Sequence, residues 1–533
     1  MRDQSPRRVR VLALALVLCL IVPLAACGGD ADDSESAIPA STAASSTQPS
    51  GVEATPGGQG GELRVATGFL PATLDPGGDG FGMVQFGIAE TLTRIGADQQ
   101  IEPWLAESVE SEDTRQWRIR LRDDATFWNG EPVDAAAVEA SLRRALDTIP
   151  SAAQYLDPDV TMTVVDERTL DLSFDDPLPT LPNNLATFHL VIATEDASAL
   201  GGLSMTGPYQ VAQHTPDDRL VLNAYAGHWS GTPPFDSVTV RLVRDANARM
   251  LGLQAGEVDL VTEVPTELTV GVGGGVEIIS SASTRVHHVV LNHARAPFDD
   301  FAVREAFAVG IDRELLNDLT LAGLGASTST FFPADLGLPT IPPIETDVDR
   351  AAEILDAAGW VEGGDGVRQK GGEALRFVLH TYARRPELPA IAVSIQDQLR
   401  AIGFDVEIRQ VDDISAQMSS GDFEAAMFSV NLVPIGDPRY ALNVSLVSDG
   451  IYNYGGIQND RLDEIATDLL TEGDAQTREG LVLEAQQIVR DDASNVYLVA
   501  APLVIAYQSD TIAPFEMRSN DLYLIDTSIQ PAS

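Results

Sequence analysis

From position 117 to 121 the chain alternates Trp117, Ile119 and Leu121 with Arg118 and Arg120. Apolar side chains therefore share one face and guanidinium groups the other, as in a half-buried strand. A turn follows at Phe127-Trp128-Asn129-Gly130-Glu131-Pro132, and then the period lengthens. Val138, Leu142 and Ala145 form one stripe of a helix that Asp134 is placed to cap. Residues 245–255 predict another helix, with Ala246, Met250 and Leu253 on one face and Gly256 ending it in the left-handed conformation. Val258-Asp259-Leu260 and residues 286–291 read as strands, and Glu62-Leu63-Arg64-Val65-Ala66 opens the structured sequence with another. Further amphipathic helices are predicted over 302–310, 348–358, 388–402, 462–470 and 478–491. With no internal repeat and no second low-complexity linker, these elements predict one continuous α/β assembly.

Residues 1–61 follow neither period. Arg2, Arg7, Arg8 and Arg10 precede an apolar run over 11–24 that ends in Leu24-Ala25-Ala26-Cys27, the layout of a cleavable secretory signal. The run is short for a bilayer span, which takes about 20 apolar residues. A cysteine directly after two small residues is similar to the bacterial lipoprotein signal. That resemblance implies removal of residues 1–26, a diacylglycerol on Cys27, and a protein held by lipid on the extracytoplasmic face of the cell membrane. Arg7-Arg8 leaves the general and twin-arginine routes both open. Residues 27–61, rich in Gly, Ser, Thr, Ala, Pro and Asp, read as a flexible tether with a root-mean-square span of about 30 Å.

The chain has 533 residues, of which 44% are hydrophobic, enough for two or more lobes with real cores. Its only cysteines are Cys19 and Cys27, so processing leaves no thiol pair, and stability must come from burial rather than disulfides. The formal charge is -45; removing residues 1–26, which carry four Arg and one Asp, leaves -48. Nucleic acid is excluded as a partner, because phosphate binding needs an excess of basic groups. Such acidity makes a solvated, self-repelling surface. Lys370 is the only lysine, which reads as a codon-composition signature.

No H-E-x-x-H, G-x-S-x-G, phosphate-binding loop or metal-type cysteine spacing occurs, so neither catalysis nor a cofactor is expected. His287 and His288 point to opposite faces of their strand. His287 and His293 lie about 20 Å apart at 3.3 Å per residue; these histidines read as solvent-facing and cannot grip one ion. Gly78, Gly80 and Gly82 could let a ligand approach the backbone closely, whereas Gly271, Gly273, Gly274 and Gly275 read as a mobile turn.

Several short motifs occur in a meaningful order: Thr73-Leu74-Asp75-Pro76, Glu102-Pro103-Trp104-Leu105-Ala106-Glu107-Ser108, Leu121-Arg122, Phe127-x-Asn129-Gly130, and Thr206-Gly207-Pro208-Tyr209. Beyond these lie Leu253-Gln254-Ala255-Gly256-Glu257-Val258-Asp259-Leu260, Val303-Arg304-x-Ala306, Ile311-Asp312-Arg313, Ala357-Ala358-Gly359-Trp360, Ile395-Gln396-x-Gln398-Leu399 and Gly421-Asp422-Phe423-Glu424-Ala425. Together they make the chain resemble the family 5 extracellular solute-binding proteins of ABC importers, the group with oligopeptide, dipeptide and nickel binders. The resemblance implies an α/β, two-lobed clamp of the type II periplasmic-binding-protein kind, with an extra domain inserted in the first lobe. The first lobe would combine residues 62–98, 204–290 and 495–533. The extra domain would span 99–203 and the second lobe 291–494. The closed monomer would present its solute to a membrane permease.

By the same resemblance, the cleft would be lined by a loop at 78–85 (Gly78, Asp79, Phe81, Met83 and Gln85) and by Asn431, Leu432 and Val433 before Asp437. Family peptide binders hold an extended peptide by main-chain hydrogen bonds, like an added strand. Where oligopeptide binders place an aspartate for the peptide's amino group, this chain has Pro434, and Asp437 is the acid a small shift would bring there. Trp128, Tyr155, His189, Tyr452 and Asn453 are further cleft candidates, while Trp104, Trp117, Trp229 and Trp360 read as core. An oligopeptide or peptide-like solute is the first expectation and a nickel chelate the alternative. Against the alternative, Ser151, Gln154 and Tyr155 stand where nickel-chelate binders use Arg and Trp. A carboxylate-dependent hydrolase on the same scaffold is the reading from another class. If Cys27 is the anchor, Cys27→Ser should release the protein into the medium, as a blot of medium and membrane fractions would show; a variant that stays on the membrane refutes the anchor.

Overall fold

Two long strands, Val276–Leu291 and Asn495–Gln508, run antiparallel through the middle of the molecule. They form the centre of a computed structural model that describes residues 60–533 apart from 384, 386 and 519. The expected signal, Cys27 and nearly all of the tether lie outside the described residues. Outward from Asn495–Gln508 come Leu260–Val261, Glu62–Thr67, Ser237–Leu242, Arg219–Ala224 and Tyr209–Thr215. Outward from Val276–Leu291 come Ala425–Asn431, Arg376–Thr381 and Asp405–Gln410, so a single sheet extends through both lobes. Glu62–Thr67 lies parallel to Ser237–Leu242 and to Leu260–Val261, and Arg376–Thr381 lies parallel to Asp405–Gln410. Parallel neighbours need crossovers, which the helices Ala246–Gln254 and Glu387–Arg400 supply.

The central ladder shifts register twice, between Ala282 and Val286 and again between His287 and His288, and the first break is the larger. Val276 to Ala282 pairs with Gln508 to Pro502, and pairing resumes at Val286 opposite Ala500. Ser283, Thr284 and Arg285 thus face only Ala501, a bulge that bends the strand, and Pro502 has no N–H to give the ladder. The Ser283 hydroxyl donates to the Ala501 carbonyl at 2.6 Å and accepts the Arg285 N–H at 3.1 Å, so the bulge is internally bonded. The core changes at the same place. On the lobe I side Ile505 and Tyr507 pack on one face with Leu63 and Val65, and Val504 and Ala506 on the other with Ala66 and Val261. Beyond the bulge, Val286, Val289 and Val496 belong to a separate core with Phe307, Phe377 and Leu399. The handover therefore falls at 283–285 and 501–502, a few residues inside the boundaries at 290 and 495 expected from the sequence.

A third core lies between the four-stranded antiparallel sheet Ala106–Ser111, Gln116–Leu121, Thr169–Ser173, Thr161–Asp166 and the helix Ala135–Thr148. Burial along Gln116–Leu121 alternates without exception, and Asp134 caps the helix by accepting the Ala137 N–H at 2.8 Å. Asp245 caps Ala246–Gln254 and Gly256 takes φ +71, as the sequence predicts. Three expectations need correction. The strand expected over 286–291 runs back to Val276, because Ser280, Ser281, Ser283 and Thr284 hide its alternation at the bulge. The loop expected at 78–85 is most of a helical segment, Pro76–Gln85, started by Asp75 and Pro76 and kinked at Asp79, whose backbone is not helical. His287 and His288 are buried, at 0% and 3% exposure, not solvent-facing.

Arginine has structural work to do as well as a coding origin. The Arg313 guanidinium, 5% exposed, donates to the carbonyls of Tyr497, Ile311 and Ala308 at 2.8, 3.1 and 3.0 Å. Burial pulls its pKa down to about 10, so it stays charged at neutral pH. Arg249 and Arg368 likewise donate to buried carbonyls of neighbouring segments, a task that suits a planar fork of five donors. Arg313→Ala would orphan three carbonyls at once and should lower unfolding free energy by about 3 kcal/mol. Urea denaturation of variant and parent measures the difference.

Candidate ligand-binding cleft

One wall of the cleft is set by a close approach of backbones. A Cβ on Gly80 would lie 2.5 Å from the Phe188 carbonyl oxygen, so only glycine lets helix Pro76–Gln85 rest on the Phe188–Leu190 turn. The glycines at 80 and 82 thus serve helix packing rather than approach of a ligand. This contact aligns a row of rings: Phe69 to Phe81 at 6.2 Å, Phe81 edge-on to Phe188 at 5.7 Å, Phe188 to His189 at 4.2 Å, and His189 stacked on Tyr155 at 5.5 Å. Ser151 Oγ shares a hydrogen bond with His189 Nδ1 at 3.1 Å. Burial pushes the His189 pKa down to about 4, which makes the ring neutral at pH 7.

The second lobe supplies the facing wall. Phe428 packs against Tyr452 at 5.6 Å and Tyr454 at 5.8 Å. Burial, then the neighbouring Tyr155 and Tyr452, pushes the Tyr440 phenol up to about 12. The Tyr155 phenol is raised by burial above all, a hydrogen bond to Thr187 opposes the shift, and Tyr452 adds to it. Tyr155, Tyr440 and Tyr452 thus lie close enough to feel one another's charge. Near the bulge the cleft becomes charged. Half-buried Arg285 lies close enough to Arg385, Asp521, Tyr382 and Glu387 to feel their charge, and burial first, then Arg385, lowers its pKa. Burial raises the Asp521 carboxyl, with Arg285 and Arg385 opposing. Gln85 Nε2 donates to the Asp521 carbonyl at 2.8 Å, so Gln85 lies at this end. Glu387 contacts buried His287 at 2.9 Å, and that contact holds its pKa below the ordinary value although burial works the other way.

Of the residues expected from sequence, Phe81, Tyr155, His189 and Tyr452 belong to the two ring clusters. The others are placed differently. Met83, 1% exposed, is in the lobe I core. Asp79 accepts from the N–H groups of Ala72 and Thr73 and from the Thr73 hydroxyl, bracing the turn before its own helix. Gly78 is exposed at the start of that helix. Trp128 donates Nε1–H to the Gly207 carbonyl at 2.9 Å and packs on the lobe I core. Leu432 and Val433 are each 1% exposed. Their N–H groups go to the Thr284 carbonyl and to Asn431 Oδ1, so no peptide can add there as a strand through them. Asn431 Oδ1 also accepts from the Thr284 hydroxyl. Asn453 donates to Val447 and Ile457 carbonyls and accepts the Ile457 N–H, serving its own loop. Asp437, 2% exposed, is paired with Arg478 at 3.0 Å and Arg439 at 3.6 Å, so it cannot stand in as an amino-group anchor. Trp104, Trp117 and Trp360 are buried, and Trp229 packs between two cores. Sequence reasoning passed over Arg285, Tyr440, Phe69 and Asp521; the visible signal for Arg285 was a lone cation entering the apolar run 286–291.

Two lobes hinged on shared strands around such a cleft define a type II periplasmic-binding-protein clamp. Residues 100–453 match the family model described as bacterial extracellular solute-binding proteins, family 5 Middle. The chain belongs to that family. It is 24% identical over 449 residues to the nickel-binding protein NikA of Staphylococcus aureus, covering 83% of this chain and 89% of that protein. It is 26% identical over 479 residues to the glutathione-binding protein GsiB of Salmonella typhi, covering 84% and 91%. The crystal structure of a nickel ABC transporter protein from Bacillus halodurans superposes with a TM-score of 0.76 at 30% identity, over 88% of this chain and 99% of that one. These relatives are binding components of importers, not enzymes, and the chain is read accordingly as a binding protein. Among the described residues no helix is long and apolar enough to cross a membrane.

The neutral state of His189 has a measurable consequence. Its folded pKa of about 4 lies below the ordinary 6.5, so the unfolded chain takes up this proton first. Its contribution to stability is complete above pH 6.5 and is lost as the pH falls towards 4. His189→Phe keeps a ring against Tyr155 without the titration, so melting temperature should fall less between pH 6.5 and about 4 than in the parent. Buried His288, also held near 4, should leave part of the slope in place.

Proposed function

We propose that this solute-binding protein captures a carboxylate-bearing, peptide-like solute between its lobes and, tethered at Cys27, delivers it to an ABC permease. The observation that carries this reading is the state of Arg285. No carboxylate of a described residue is within ion-pair distance of its guanidinium, and burial together with repulsion from Arg385 outweighs the more distant Asp521, Tyr382 and Glu387, which favour its charge. An unpaired, desolvated cation is costly, and an arriving carboxylate relieves that cost with charge-assisted hydrogen bonds. The rings of Phe81, Phe188, Tyr155 and Tyr452 offer apolar area without demanding one particular side chain. Asp437 is consumed by Arg478, which argues for anchoring through an acid end rather than through an amino terminus at that point.

A nickel chelate is the second reading, favoured by the names of two of the similar proteins. Among the described residues no three His, Cys, Asp or Glu side chains group to hold an ion. Nickel would therefore arrive already wrapped in an organic acid, whose carboxylates suit Arg285 equally well. Calorimetric titration with glutathione, short peptides, nickel chloride and nickel–histidine separates the cases. The expectation is binding of one or more carboxylate-bearing solutes and none of nickel chloride. Arg285→Ala should weaken that binding at least about tenfold at unchanged melting temperature. Equal affinity in Arg285→Ala, or tight binding of the bare ion, would sink the reading.

A further inference from the structure

The lobes also meet along a seam away from the rings, and on the second lobe the residues there are glycines. A Cβ on Gly337 would lie 3.6 Å from the Asp98 carbonyl oxygen, and one on Gly473 would lie 3.4 Å from Thr114 Cγ2 and 4.0 Å from Pro179 Cβ. Gly436 is tighter: its Cβ would lie 2.9 Å from the Gln99 carbonyl oxygen, 3.4 Å from Asn183 Nδ2 and 3.6 Å from Ile101 Cδ1. Beside it, Asn183 Nδ2 donates to the Ile435 carbonyl at 3.1 Å. Among the described residues no ion pair crosses this seam. In a chain with so many carboxylates, facing charged side chains would mostly repel, whereas glycines let backbones of the two lobes touch.

We infer that Gly436 determines how far the clamp closes, and through closure the affinity for whatever solute the cleft holds. The atom it faces is a backbone carbonyl in a bonded turn, not the end of a flexible side chain. Gln99 sits at the turn of the hairpin Thr93–Ile95, Ile101–Pro103, where Gly96 N–H donates to the Gln100 carbonyl at 2.7 Å and Gln99 N–H to the Gly96 carbonyl at 3.2 Å. Residue 436 belongs to the second lobe and residue 99 to the start of the extra domain that the first lobe carries, so a side chain at 436 meets that carbonyl only when the two sides are together. It therefore penalises the closed form and leaves the open form alone, and an equilibrium can be moved only by such a difference. The inference deepens the binding reading and depends on the clamp closing, not on which solute it takes.

Disulfide trapping tests it without any solute. The described residues contain no cysteine, so a full chain with Cys19 and Cys27 changed to serine can carry Thr114→Cys with Gly473→Cys as a reporter of closure. Gly436→Ala is compared with Gly421→Ala: both glycines have positive φ, +70 and +71, but a Cβ on Gly421 meets nothing within 4 Å. The two changes share the left-handed backbone penalty, and only one adds a wedge. Expected are disulfide formation in the parent reporter, a rate about tenfold lower with Gly436→Ala, a larger drop with Gly436→Leu, and no comparable drop with Gly421→Ala. Melting temperatures of the two alanine variants should match. Equal trapping rates in the two alanine variants, or a parent reporter that never cross-links, would overturn the inference. A failure of solute binding in the Arg285 experiment would leave these rates untouched, so the two readings fail separately.

Discussion

Two antiparallel strands that belong to both lobes at once constrain everything else in this protein. Because Val276–Leu291 and Asn495–Gln508 stay paired on either side of the bulge, the lobes are tied by a shared ladder, and its interruption at Ser283–Arg285 and Pro502 is where a bend between them costs the fewest hydrogen bonds. The bulge puts the bend between two cores that share few side chains, so neither core has to repack when the lobes move. It also fixes Arg285 at the pivot, where its position relative to either lobe changes least. The anchor proposed there would engage a solute before closure and keep hold of it through closure.

The charge distribution follows from the same economy of positions. Carboxylates dominate the composition, while many guanidinium groups are drawn inwards. Asp259, 2% exposed at its side chain, takes both Arg64 Nε and Nη2, a two-pronged pair that ties neighbouring strands. Arg313, Arg304 and Arg368 satisfy carbonyls that helix and strand ends leave without partners. Arg285 differs from these: among the described residues its guanidinium makes no hydrogen bond or ion pair, although Asp521 and Glu387 lie near enough to feel its charge. That contrast, rather than its charge alone, is what supports the role proposed for it.

Local elements were readable from the sequence because their causes are local. Asp134, Asp245 and Gly256 act within a few residues of themselves, and the alternation of 117–121 needs only a strand with one wet face. The central strand was half hidden because the serines and threonine that build the bulge interrupt the pattern that would reveal it. The cleft was harder. Tyr155, His189 and Tyr452 were named through family resemblance, and Tyr155 stacks on His189 while Tyr452 packs on Phe428; Asp437 and Asn453 look equally polar in the sequence and are spent on structure. What separates them is a partner such as Arg478, far along the chain from Asp437. Met83 and Asp79 fail for the same reason: a glycine-rich stretch read as a loop became a helix, and its side chains turned to the core and to the preceding turn.

The placement of Asn495–Gln508 bears on the order in which the molecule can assemble. The core between the four-stranded sheet and helix Ala135–Thr148 draws its buried residues from one continuous stretch, Leu92 to Ile192. Neither lobe does so, since each waits for this strand, which inserts in the middle of the sheet between Leu260–Val261 and Val276–Leu291 rather than adding at an edge. A chain emerging from its amino terminus therefore holds two unfinished lobes until its last few dozen residues arrive, with long-range pairing deferred to the end. Each lobe is therefore completed by pairing between segments far apart in the chain, and neither is a locally assembled unit.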